Sequence, residues 1–157
     1  MTDQAVNLEA DTGPLIDETE LEAIVNEVLD ALVVNAGMDL DSPIPPEPGV
    51  EAVPLTGSIT VHADIEARLV VDTDAQAGAR LARCWGLVGP EGATKEDAID
   101  VIGELCNLVG ATVKTVFEEE SHVGIPEVAD GSGPIWESRE VTVHHPVGDF
   151  VARFGPI

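Results

Sequence analysis

Basic residues are scarce in this chain, with seven Lys and Arg against thirty Asp and Glu in 157 residues and a formal charge of -23. A polyanion would be repelled over the whole surface and would find no cluster of cations to neutralise its phosphates, which excludes nucleic acid and anionic membrane as partners. Aromatic residues are scarce too: three Phe, two Trp and no Tyr. The core must therefore be built from Val, Ile, Leu and Ala, and a base-stacking platform has no parts to be made from. The two cysteines, Cys84 and Cys106, have no C-x-x-C spacing and no secretory signal before them, so they are expected to be reduced and buried in a cytoplasmic protein. No apolar run approaches the roughly 20 residues of a membrane span. Phosphate-cradling, nucleophile-elbow and zinc-helix motifs are missing, and His62, His122, His144 and His145 lack ligand spacing, so neither a resident cofactor nor a metal is expected.

What is present is a globular composition, 44% hydrophobic, in a chain long enough for one core. Residues 1–14 are polar and acidic and are expected to form a disordered tail, with a single domain over 15–157. From Asp17 the apolar residues Leu21, Ile24, Val25, Val28, Leu29 and Leu32 recur at helical spacing, and Asp17 with Glu20 forms a capping box, predicting a helix to about Ala36. Residues 41–54 carry five prolines and read as a stiff linker. Thereafter the period becomes two. Ser58 to His62 and Ile65 to Val71 read as a hairpin, Asp72 or Thr73 as the cap of a second helix running toward Trp85, and Glu140 to His144 with Phe150 to Phe154 as a further strand pair. Three helices with mostly hairpin-joined strands argue for an α+β fold, the long helices packed on one face of an antiparallel sheet. The acidic excess also fits a protein from a salty cytoplasm, in which case stability should improve between low and molar salt.

The stretch from Thr94 to Phe117 carries the most information. Thr94 with Asp97 starts a helix on which Ile102, Leu105, Cys106, Val109, Val113 and Val116 form an apolar stripe, while Asp97, Asp100, Glu104, Asn107 and Ala111 form the opposite, polar face. Gly103 and Gly110 flank that polar face mid-helix, where each costs up to about 1 kcal/mol relative to Ala. A missing side chain there suits either the close approach of another molecule or packing against a neighbouring element.

Asp100, Glu104, Asn107 and Gly110, followed downstream by Gly124, Ile125, Pro126, Glu127 and Val128, resemble the signature of the CheC/CheX/FliY chemotaxis phosphatases and look most like the CheX branch. The resemblance runs from about residue 15 to 154 in order of elements. It implies a CheX-like fold and a hydrolase acting on the phospho-aspartate of a CheY-like response-regulator receiver. In that role Asn107 would orient the attacking water, much as a water-positioning glutamine does in GTPases. Glu104 would pair with a receiver lysine, while Asp100, Gly103 and Gly110 would form the docking face. No cofactor of its own is implied, since Mg²⁺ belongs to the receiver. The resemblance also implies a homodimer joined through strand edges. Some relatives carry a second Glu-x-x-Asn on the earlier helix, but here Glu22 and Asn26 are four apart, which leaves one site per chain. The alternative on the same fold is a non-catalytic receiver-binding module or flagellar switch component. Turnover should rise with moderate salt as repulsion between two acidic proteins is screened; a steep fall would mean that a local basic patch, such as one around Arg80 and Arg83, steers the partner.

Overall fold

The computed structural model describes residues 16–35, 41, 44–63, 65–86, 88, 89, 91–115 and 121–157. The expected tail over 1–14, together with Val116 and Phe117, lies outside the described residues. Among the described residues three helices, α1 (Glu18–Asn35), α2 (Ala75–Cys84) and α3 (Lys95–Lys114), accompany six strands, β1 (Pro54–His62), β2 (Ala67–Asp74), β3 (His122–Val123), β4 (Glu127–Asp130), β5 (Arg139–His145) and β6 (Gly148–Pro156). The strands form one antiparallel sheet in the order β3-β1-β2-β6-β5, with β4 also pairing β1. The fold is α+β with the helices over one sheet face.

The alternation along the strands explains that arrangement. Leu55, Ile59 and Val61 of β1, Leu69 and Val71 of β2, Val141 and Val143 of β5, and Phe150, Ala152 and Phe154 of β6 share the inward face and are all buried. Against them lie Leu21, Val25, Leu29 and Val33 of α1 and Val101, Ile102, Leu105, Val109 and Val113 of α3, each fully buried. A large side chain of this kind contributes about 1.5–3 kcal/mol when removed from water. The outer face is more polar. There Arg153 bridges Asp72 at 2.8 Å and Glu140 at 3.2 Å, and the Gly133 N–H donates to Asp72 Oδ1 at 2.9 Å. Burial would raise the Asp72 carboxyl, but the donors around it outweigh burial and hold it below the usual aspartate range.

Helix starts follow their caps. The Asp17 N–H donates to Glu20 Oε1 at 3.3 Å and the Glu20 N–H donates to Asp17 Oδ1 at 2.8 Å, so the predicted capping box is formed. Helix α2 starts later than expected. Its cap is Asp74, which accepts from the Ala77 N–H at 2.7 Å. Asp72 and Thr73 stay in β2, paired with Thr56 and Leu55. The proline-rich segment is not a free spacer. Ile44 and Glu47 are buried, Gln76 Nε2 donates to the Glu47 and Val50 carbonyls at 3.1 and 2.7 Å, and Pro54 opens β1, a position where a missing N–H is tolerated.

Candidate functional site

Helix α3 presents the candidate residues. Thr94 and Asp97 cap it reciprocally: the Asp97 N–H donates to Thr94 Oγ1 at 3.1 Å and the Thr94 N–H donates to Asp97 Oδ2 at 2.9 Å. That start fixes the register and therefore the faces. The stripe from Ile102 to Val113 goes down onto β1, while Asp100 and Glu104 are exposed and Asn107 is half-buried.

Two of the site residues touch. Asn107 Nδ2 donates to Glu104 Oε1 at 3.1 Å, one turn back along the helix. A carboxylate only accepts, so it must face the NH₂ end of the amide. That bond turns the Asn107 carbonyl oxygen away from Glu104, while the second Glu104 oxygen retains acceptor capacity.

Beside this pair runs a groove of about 370 Å³, between α3 and the chain entering β4. Asp100, Glu104 and Asn107 form one rim, and Pro126 and Val128 form the wall opposite. Gly103 is the floor: a methyl group added there would meet Val128 Cγ2 at 3.7 Å, an ordinary contact. Strand β4 is held in place by β1, with Val128 opposite Gly57 and Glu127 opposite Ser58. Lys95 Nζ and Asp130 Oδ1, 3.0 Å apart, tie the start of the helix to the end of that strand.

Gly110, expected beside Gly103 on the docking face, does not line this groove. It is buried, and a Cβ on it would press on Ile59 Cγ2 at 3.2 Å and Val123 Cγ1 at 3.4 Å. Here the helix turns inward over β1 and β3, so this glycine serves packing. Asp100, Gly103, Glu104 and Asn107 are brought together as a set. Pro126 and Val128 were legible only as residues following the motif. Their place as the groove wall depends on β4 pairing with β1, and a strand of four residues gives little periodicity to detect.

The chemistry available is polar and non-covalent. Cys106, next to Asn107 in sequence, faces the core, and burial pushes its thiol up to about 12, leaving no thiolate at neutral pH. Cys84 is also free and buried. Among the described residues no group of three or more His, Cys, Asp or Glu is placed to hold a metal ion. The histidines lie elsewhere. His62 meets Glu66 at 2.8 Å and stacks on His122 with ring centroids 4.8 Å apart, while His144 meets Asp149 and His145 meets Asp30. Of the Arg80 and Arg83 pair, only Arg83 is bonded to a carboxylate among the described residues. Arg83 Nη2 donates to Glu47 Oε1 at 2.9 Å and Arg80 Nε donates to Gln76 at 3.3 Å. The Arg83 hydrogen bond, aided by the Ala93 N–H, outweighs burial and holds the Glu47 carboxyl below its ordinary range.

Comparison with known proteins bears on the fold. Among curated proteins none matches the chain by sequence. Among solved structures, the chain resembles a chemotaxis protein CheX from Desulfovibrio desulfuricans, with a TM-score of 0.59 at 14% identity over 88% of this chain and 99% of that one. It also resembles the CheX protein of Vibrio vulnificus, with a TM-score of 0.54 at 17% identity over 84% of this chain and 95% of that one. A third similar structure is a CheX-CheY-BeF3-Mg²⁺ complex from Borrelia burgdorferi, matched with a TM-score of 0.57 at 13% identity over 89% of this chain and 97% of that chain. No helix among the described residues is long and apolar enough to cross a membrane. The family model described as chemotaxis phosphatase CheX matches residues 55–145, more than half the chain, and the chain belongs to that family of phosphatases.

Proposed function

We propose that this protein removes the phosphoryl group from the phospho-aspartate of a CheY-type receiver, and that Asn107 and Glu104 are the residues that do it. The observation that carries the reading is the Asn107 to Glu104 hydrogen bond on the exposed rim of α3. An acyl phosphate held with its own Mg²⁺ on the receiver needs little from a phosphatase beyond a correctly placed water. The Asn107 carbonyl oxygen accepts a hydrogen bond from that water and lines it up with phosphorus. The water oxygen bonds to phosphorus as the bond from phosphorus to the aspartyl oxygen breaks, giving aspartate and inorganic phosphate. Work of this kind is positioning rather than covalent catalysis, which suits a site with no activated nucleophile.

Glu104 has two tasks in this scheme. One oxygen fixes the Asn107 amide, and the other pairs with a receiver lysine to set the docking register. The Borrelia burgdorferi neighbour, solved with CheY and Mg²⁺, supports a receiver as the class of partner. The same reading places the protein in the cytoplasm, where receivers act. We also infer a homodimer. Among the described residues strand β5 pairs only with β6, which leaves an edge of backbone donors and acceptors that a second copy would satisfy.

The test follows phosphate on a CheY-type receiver from the same genome, with this protein added far below stoichiometry. Many phosphates released per molecule is the expected result. A receiver that binds but keeps its phosphate would replace catalysis with the docking-module reading.

A further inference from the structure

The groove beside Asn107 has a character that orienting water does not require. Its far wall, Pro126 and Val128, is mostly apolar, and its floor lacks a side chain because residue 103 is glycine. Its rim carries Asp100 one turn before Glu104. Of the two carboxylates lining the groove, Glu104 is engaged by Asn107. Asp100 has no hydrogen-bond or ion-pair partner among the described residues.

A free carboxylate facing an apolar wall across an open floor selects its occupant. An acidic side chain would meet Asp100 and Glu104 together. A purely apolar one would strip water from Asp100 and return no hydrogen bond. A long basic side chain satisfies both surfaces, laying its methylene stem on Pro126 and Val128 and its charged head on Asp100. Glu104 and Asn107 line the same groove, so a receiver presenting its phosphorylated pocket to Asn107 must pass over it.

We propose that this groove holds a lysine or arginine of the receiver, distinct from the lysine paired with Glu104, and that Asp100 selects receivers that carry it. The proposal rests on the receiver reading above and names the second contact that makes one receiver preferred over another. Selection here comes from charge and shape around the site, while the reaction itself stays with Asn107.

The probe is a CheY-type receiver from the same genome, activated with beryllium fluoride and Mg²⁺ for binding and with acetyl phosphate for turnover. Asp100→Asn should raise Kd and KM about tenfold with kcat unchanged, as expected for loss of a charge pair at an interface rim. Asp100→Glu should recover most of that loss. Gly103→Leu, which fills the floor and keeps the charge, should weaken binding to a similar degree. Changing the receiver's surface lysines and arginines singly to Ala should reveal one whose loss is not additive with Asp100→Asn. If Gly103→Leu does not fold, the exposed Asp100 variants decide. Parent-like Kd and KM in Asp100→Asn, with dephosphorylation by the parent intact, would overturn the groove proposal and leave the phosphatase reading standing. A parent that neither binds nor dephosphorylates the receiver would overturn both.

Discussion

Gly103 and Gly110 lie two turns apart on α3, beside the same polar face, yet they do opposite things. At Gly103 the helix passes β4 at a distance that leaves an open groove, and an added methyl would make an ordinary 3.7 Å contact with Val128. At Gly110 it lies over β1 and β3, and the same methyl would press on Ile59 and Val123 at 3.2 and 3.4 Å. One absent side chain leaves a groove open, which under the proposed function would receive a partner, and the other lets the helix lie down on its sheet. What the element across the helix does, rather than the residue itself, assigns the role.

That contrast can be broken by substitution, and the site turn should respond most. Glu104→Ala removes a charge from the docking rim and should cost roughly 2–5 kcal/mol of receiver affinity, mostly as faster dissociation in a stopped-flow assay. Because Glu104 also holds the Asn107 amide, kcat should fall with it, while the thermal melt should stay within about 0.5 kcal/mol of the parent. The packing turn should show the reverse. Gly110→Leu overfills the space against Ile59 and Val123 and should cost about 1–3 kcal/mol in urea unfolding, with turnover per folded molecule retained.

A smaller effect is expected off this helix, where the proline-rich segment docks through Glu47. Arg83→Ala leaves the Glu47 carboxylate buried without its main partner. The loss in melts should be small, because half of the Arg83 side chain is exposed to solvent. Its pH dependence has a defined sign. The Glu47 pKa is lowered from 4.5 in the fold, so the stability it contributes is present above pH 4.5 and is lost as pH falls through the lowered value. The variant should therefore show a flatter acid limb in a series of melts. The smallest change belongs to Gly103→Ala, which should gain up to about 1 kcal/mol in unfolding free energy from helix propensity and keep activity near that of the parent. A Gly103→Ala variant as damaged as Gly110→Leu would erase the distinction between the two turns.

Much of this was legible before any coordinates. Asp17 with Glu20 and Thr94 with Asp97 announced two helix starts, because a reciprocal cap is a local event within one turn. The buried stripe from Ile102 to Val113 and the inward alternation of β1 and β6 followed from period alone. The misses are all long-range. Nothing in the proline-rich segment singles out Glu47, yet it is buried against Arg83, thirty-six residues away. Asp72 looked like a helix cap, yet it is held in β2 by Arg153 and Gly133, which arrive from the other end of the chain. The groove was invisible for the same reason, since Val128 reaches Gly103 only because β4 adds to β1.

The central claim is that a single amide on α3 places the water. The most direct measurement is the rate of phosphate loss from a phosphorylated CheY-type receiver at saturating Asn107→Ala, with binding to the beryllium-fluoride form measured alongside. Loss of one preorganised polar group of this sort typically costs on the order of 10²-fold in rate, and that is the drop expected here, with binding and folding unchanged. Dephosphorylation by Asn107→Ala at the parent's rate would contradict the account.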